Sequence, residues 1–212
     1  MFTPDESLLE QWVSTERLNR YRAADAPTTE LYLWNAELSA AYFEIVGHAE
    51  VLLRNVFHSA LAPHSVGGRW YQDSAYPFSA HAQRDIRSAI HRATRDQQFE
   101  YPGKVIAEFS FGFWRFLLGK RYKTTIWPLI SPQLQGVPRH LRDRHQLEQV
   151  TTRINELRNR VPHHEPIFHQ ASNGHLSDIF LVARYVDMRA EQMLKGISRV
   201  EQVLLRPPSF RN

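Results

Sequence analysis

Apolar side chains recurring in steps of three and four between Leu31 and Leu61 constrain this chain more than any other feature. Leu38, Tyr42, Ile45, Ala49, Leu52 and Val56 share one side of a 3.6-residue repeat, which predicts a long helix with a single buried stripe. Strand-like alternation is scarce in the rest of the sequence. The fold class expected is therefore all-α, a helical bundle with additional helices.

The other segments fill in that bundle. A shorter helix is expected from Ser7 to Ala24, with Leu8, Trp12 and Leu18 facing inward. Ala26-Pro27-Thr28-Thr29 separates it from the long helix, with Thr28 or Thr29 placed to cap the latter. Pro63 to Pro77 contains Gly67 and Gly68 and reads as a loop, and a polar helix follows from Ala80 to Gln97. The stretch Lys104 to Leu118 carries Phe109, Phe111, Phe113, Trp114 and Phe116; so dense a cluster reads as core, because large rings gain most from burial. Prolines and Gly136 make Trp127 to Pro138 a second irregular connection. A helix from Arg139 to Val161 puts Leu147, Val150, Ile154, Leu157 and Val161 on one face and must stop at Pro162. A last helix is expected from Leu176 to Leu205, starting near Asn173-Gly174, before a loose tail at Pro207-Pro208. The 212 residues thus read as one domain: an N-terminal helix and linker (1–28), a helical core (29–205) and a tail (206–212).

Composition removes several functions. The chain has no cysteine, which excludes disulfides, zinc–thiolate centres and cysteine nucleophiles. It has no uncharged apolar run of about 18 residues, so no membrane-spanning helix is expected. Met1 to Glu10 lacks the basic-then-apolar order of a signal peptide, and a cytoplasmic location is the expectation. A net charge of +4 with eleven histidines permits attraction to phosphate without requiring it.

The residue types that can carry chemistry gather in Arg158-Asn159-Arg160-Val161-Pro162-His163-His164-Glu165-Pro166. Arg158 and His163 are separated by four residues. Three further groups stand out: Leu31-Tyr32-Leu33-Trp34-Asn35, Gly47-His48-Ala49-Glu50 followed by Arg54-Asn55, and Phe109-Ser110-Phe111-Gly112-Phe113-Trp114. Taken in this order, over roughly residues 15 to 190, they resemble the Abi-like (abortive infection) family of HEPN ribonuclease-like proteins. The resemblance implies a HEPN-like helical bundle and a metal-independent endoribonuclease of phage defence, or a toxin. It assigns catalysis to Arg158 and His163. Asn159, His164, Glu165, Glu50, Arg54 and Asn55 would support them, and Arg160 would contact RNA.

Chemistry agrees with those residue types. In metal-independent cleavage the substrate 2′-hydroxyl attacks the adjacent phosphate. A histidine titrates where it can move that proton, and a guanidinium matches the charge gathering on the phosphoryl oxygens. On an unbroken helix the two side chains would point about 140° apart, which the break at Pro162 relieves. One chain holds one such pair, and the resemblance implies a homodimer whose two motifs share a cleft. It also implies a restraint on activity, by a partner protein or a small RNA. No metal or other cofactor is expected, since adjacent His163 and His164 do not readily converge on one ion.

Each residue also has a plainer reading. Glu50 and Arg54 form an ordinary one-turn helix pair, Asn159 caps a broken helix, and Arg160 is a solvated cation. His81, His91, His140, His145 and His175 read as surface residues. In the alternative function the same residues hold a structured RNA without cutting it.

Overall fold

The computed structural model describes residues 2–95, 99–170 and 174–209. Among them are eleven α-helices and no strand, so the chain is all-α. The long helix is α3 (Thr28–Leu61), whose 34 residues extend roughly 50 Å. Around it stand α1 (Glu6–Val13), α2 (Thr15–Arg22), α8 (Arg144–Arg160), α9 (His175–Val186), α10 (Met188–Ile197) and α11 (Val200–Leu204). α4 (Ala80–Thr94), α5 (Pro102–Glu108), α6 (Phe111–Leu117) and α7 (Trp127–Ile130) complete the set. Buried apolar side chains from Tyr21 to Val203 form a single cluster.

The predicted stripe of α3 holds through Leu38, Tyr42, Ile45 and Ala49, all buried. Beyond that the buried side shifts by one residue: Leu53 and Phe57 are fully covered, while Leu52 and Val56 are half-buried. The aromatic cluster causes the shift. Trp114 packs edge-on against Phe57 at 5.8 Å, and Phe109 stacks on Phe113 at 4.0 Å. Loop residues Trp70 and Tyr71 plug into the same cluster, and the Trp70 indole N–H donates to His58 Nδ1 (3.2 Å).

Several expected boundaries are corrected. The first helix is two, broken at Ser14 (φ 77°, ψ 150°). Arg22 then ties α2 back to Glu6 and Glu10 (2.6 and 2.8 Å), so Leu9 turns inward and Trp12 is left 61% exposed. Thr28 and Thr29 do not cap α3: Pro27 occupies the cap, and Thr28 is the first helical residue. α4 stops at Thr94, and the expected end at Gln97 lies outside the described residues. The 104–118 segment divides where Phe109 and Ser110 adopt extended backbone, giving α5 and α6. α7 and a 3-10 turn at Ser131–Gln133 lie in the region expected to be irregular.

α8 begins at Arg144 rather than Arg139, because Asp143 accepts from the His145 and Gln146 amides while Arg142 is tied to the Val137 and Ser131 carbonyls. Leu147, Val150, Ile154, Leu157 and Val161 are buried along it as expected. The single C-terminal helix is instead three, α9 to α11. Asp187 ends α9 in extended backbone and caps α10 by accepting from the Arg189 amide (2.7 Å). Gly136 of the preceding connection presses on that break: a Cβ there would lie 1.8 Å from the Arg184 carbonyl oxygen. Among the described residues no helix is long and apolar enough to cross a membrane.

Candidate functional site

The C-terminus of α8 delivers Arg158, Asn159 and Arg160, and Pro162 converts the chain to a 3-10 turn at Val161–His163. The Glu165 amide then donates back to the Arg160 carbonyl (3.2 Å), and the His164 amide to that of Val161 (3.1 Å). These nested bonds make a Schellman-type ending, whose left-handed position usually takes glycine. Here it holds His164 (φ 49°, ψ 36°). Both imidazoles of the turn are exposed, and Glu165 is half-buried.

Two groups from other helices grip this turn. From α2, Arg17 Nη1 donates to the carbonyls of both His163 and His164 at 3.2 Å. Asn35 of α3, almost fully buried, accepts from the Ile167 amide (2.8 Å) and donates to the Glu165 carbonyl (3.3 Å). Its Nδ2 also donates to the Tyr21 hydroxyl (3.1 Å), and burial pushes that phenol up to about 12. Thus α2 and α3 hold the main chain from His163 to Ile167. Arg17 and Tyr21 were not singled out from the sequence, and Asn35 appeared there without a role. A signal existed for Asn35 alone: an amide on the apolar side of α3, where a buried polar group must find partners.

Between α2 and the turn lies an open cleft of about 450 Å³, lined by Arg17, Arg20, His163, His164 and Glu165 among others. Arg158 is not part of its lining. Half-buried on α8, Arg158 instead acts through its charge on Glu50 of α3, as Arg54 does, with no ion pair between them among the described residues. Burial raises the Glu50 carboxyl above its ordinary value, and the two guanidiniums oppose that shift. The charges of Arg158 and Arg54 are thus felt at Glu50, while His163, His164 and Glu165 line the cleft together. Among the described residues no hydrogen bond links Arg158 to His163, whose carbonyl accepts from Arg17. Asn55 and Asn159 are exposed, Asn159 caps no helix among the described residues, and Arg160 is half-buried.

His175 is a correction. Expected at the surface, it is only 7% exposed at the first position of α9, edge-on to Tyr42 with ring centroids 6.4 Å apart. Neither ring nitrogen has a hydrogen-bond partner among the described residues. Burial lowers its pKa, with Asp178, Arg153, Glu156 and Arg160 acting at longer range. No sequence pattern announces this burial, since His175 stands beside Gly174 just where a helix begins.

Among the described residues no three His, Asp or Glu side chains gather in a metal-binding arrangement. Comparison with protein-family models, characterised proteins and solved structures gives no match.

Proposed function

We propose that this chain is a metal-independent endoribonuclease of the HEPN, Abi-like type, acting in the cytoplasm in phage defence or as a toxin. The observation that carries this reading is the gripped turn. A histidine is kept in a backbone conformation that costs an L-residue roughly 1–2 kcal/mol, and two adjacent histidines line an open cleft. Glycine would occupy that position without this cost. In the reaction, one imidazole takes the proton from the ribose 2′-hydroxyl as that oxygen attacks the neighbouring phosphorus. The bond to the 5′-oxygen breaks, that oxygen is protonated by an acid, and a 2′,3′-cyclic phosphate remains. A guanidinium stabilises the charge on the phosphoryl oxygens. Because Arg158 of a chain does not line the cleft at its own His163, we take the site to be completed by a second copy in a homodimer. A partner protein or small RNA would restrain it.

A second reading, a non-catalytic protein holding a structured RNA, draws support from the absence of Arg158 from the cleft that His163 lines. Incubation of purified protein with RNA in excess EDTA separates the two. The ribonuclease reading expects cut RNA with cyclic-phosphate or 3′-phosphate ends, intact DNA, and no cleavage where the scissile nucleotide is 2′-deoxy. Products with 5′-phosphate and 3′-hydroxyl ends would refute it, and binding without cutting would establish the second.

A further inference from the structure

The net charge of this chain sits in one place. Of its 26 Lys and Arg and 22 Asp and Glu side chains, six and one respectively fall between Gly119 and His145. That stretch therefore carries a net +5, and the rest of the chain a net −1. The fold brings the two ends of the stretch together. Lys123, Trp127, His140, Arg142, Arg144 and His145 line a shared open cleft of about 670 Å³ where α7 and the start of α8 meet. Arg144 reaches the Leu118 carbonyl, which brings the Lys120 turn to the same rim.

The cations are not spent equally. Arg144 is paired with Glu148 (2.6 Å), which also lies 3.6 Å from His145, and Arg142 is tied to two carbonyls. Lys120, Lys123, Arg139 and His140 are exposed, and their side chains have no hydrogen bond or ion pair among the described residues. The one acid of the stretch, Asp143, is occupied in capping α8. Half-buried Trp127 adds a flat apolar surface to the wall. Free cations around an aromatic ring are the combination that tracks a nucleic-acid backbone and stacks a base without reading sequence. This surface lies at the opposite end of α8 from Arg158 and His163, and the 17 residues of that helix extend roughly 25 Å.

We infer that the cleft between α7 and the start of α8 is a second RNA-binding surface, taking the phosphate backbone of a single strand at a distance from the motif turn. It rests on the proposed action on RNA and adds that the chain grips its substrate at two places. Binding here raises affinity for long strands through counterion release.

The test is the salt dependence of binding to a labelled 2′-O-methyl oligoribonucleotide, which cannot be cut, followed by fluorescence anisotropy. Lys120→Ala/Lys123→Ala/Arg139→Ala removes three cations that make no internal contact. It should lower affinity about 10- to 100-fold and reduce the slope of log K against log salt by about 2, at roughly 0.7 per lost contact. Arg84→Ala/Arg87→Ala/Lys104→Ala, which removes three exposed cations from α4 and α5, should leave the slope as it was. Equal losses in the two triple variants, or none in the first, would overturn the inference, as would equal competition by polyglutamate. The proposed activity stands or falls separately. Cleavage by the wild type with an unaffected first variant removes this surface alone; binding that depends on the surface without any cleavage removes the ribonuclease alone.

Discussion

Replacing Asn35 with alanine tests whether the motif turn is held by the long helix or merely rests on it. Asn35 is 1% exposed and serves three partners: the Ile167 amide, the Glu165 carbonyl and the Tyr21 hydroxyl. Alanine removes all three. The Ile167 amide belongs to a residue only 1% exposed and cannot recover its bond from water, whereas half-buried Glu165 partly can. At about 1–3 kcal/mol for each buried group left unpaired, the loss should be about 2–4 kcal/mol. For a chain of this length that lowers Tm by about 4–16 °C. Urea unfolding followed by circular dichroism gives the loss directly, and amide exchange at Ile167 shows whether it is local. The control is Ser39→Ala, one turn along α3, where a buried hydroxyl has no partner among the described residues. Removing an unpaired hydroxyl should cost little, within about 0.5 kcal/mol, or even stabilise. Equal losses at the two positions, with Ile167 exchange unchanged in Asn35→Ala, would mean that the hydrogen bonds to the turn contribute nothing and that α3 holds it by packing alone.

Arg158→Ala and His163→Ala should each lower RNA cleavage by about 10²–10³-fold or more with helical circular dichroism unchanged. Light scattering should report a dimer, and an active monomer would refute the shared cleft. His164→Gly relieves a left-handed residue and should leave stability equal or raised by up to about 1 kcal/mol, whereas branched His164→Val should lower it; chemical denaturation measures both. His175 is held neutral by burial, so its folded pKa lies below the ordinary 6.5 and the unfolded chain binds the proton more readily. Its contribution is complete above pH 6.5 and is lost as pH falls from there through the lower folded value. Unfolding free energy should therefore decline less steeply with acid in His175→Phe than in the wild type, and parallel curves would refute the assignment.

What the sequence determined by itself was local. The repeat in α3 reports its own buried face as far as Ala49 because each side chain's position follows from the helix period, and Pro162 ends α8 because a ring nitrogen cannot donate. The aromatic run around Phe109 to Trp114 declared itself as core by the size of its rings. The break at Ser14, the division of the C-terminal helix at Asp187 and the burial of His175 were decided by tertiary structure. Each depends on a distant partner: Arg22 on Glu6 and Glu10, the Gly136 backbone against Arg184, and Tyr42 beneath the imidazole. The candidate site divides in the same way. Arg158, His163 and their neighbours stand together in the chain and were legible there. That Arg17 and Asn35 hold their turn, separated from it by more than 120 residues, was not. Nor was it legible that Arg158 stays out of the cleft that His163 lines. A hydrogen bond between distant segments leaves no periodicity in either one, and only the packed arrangement of α2, α3 and α8 specifies it.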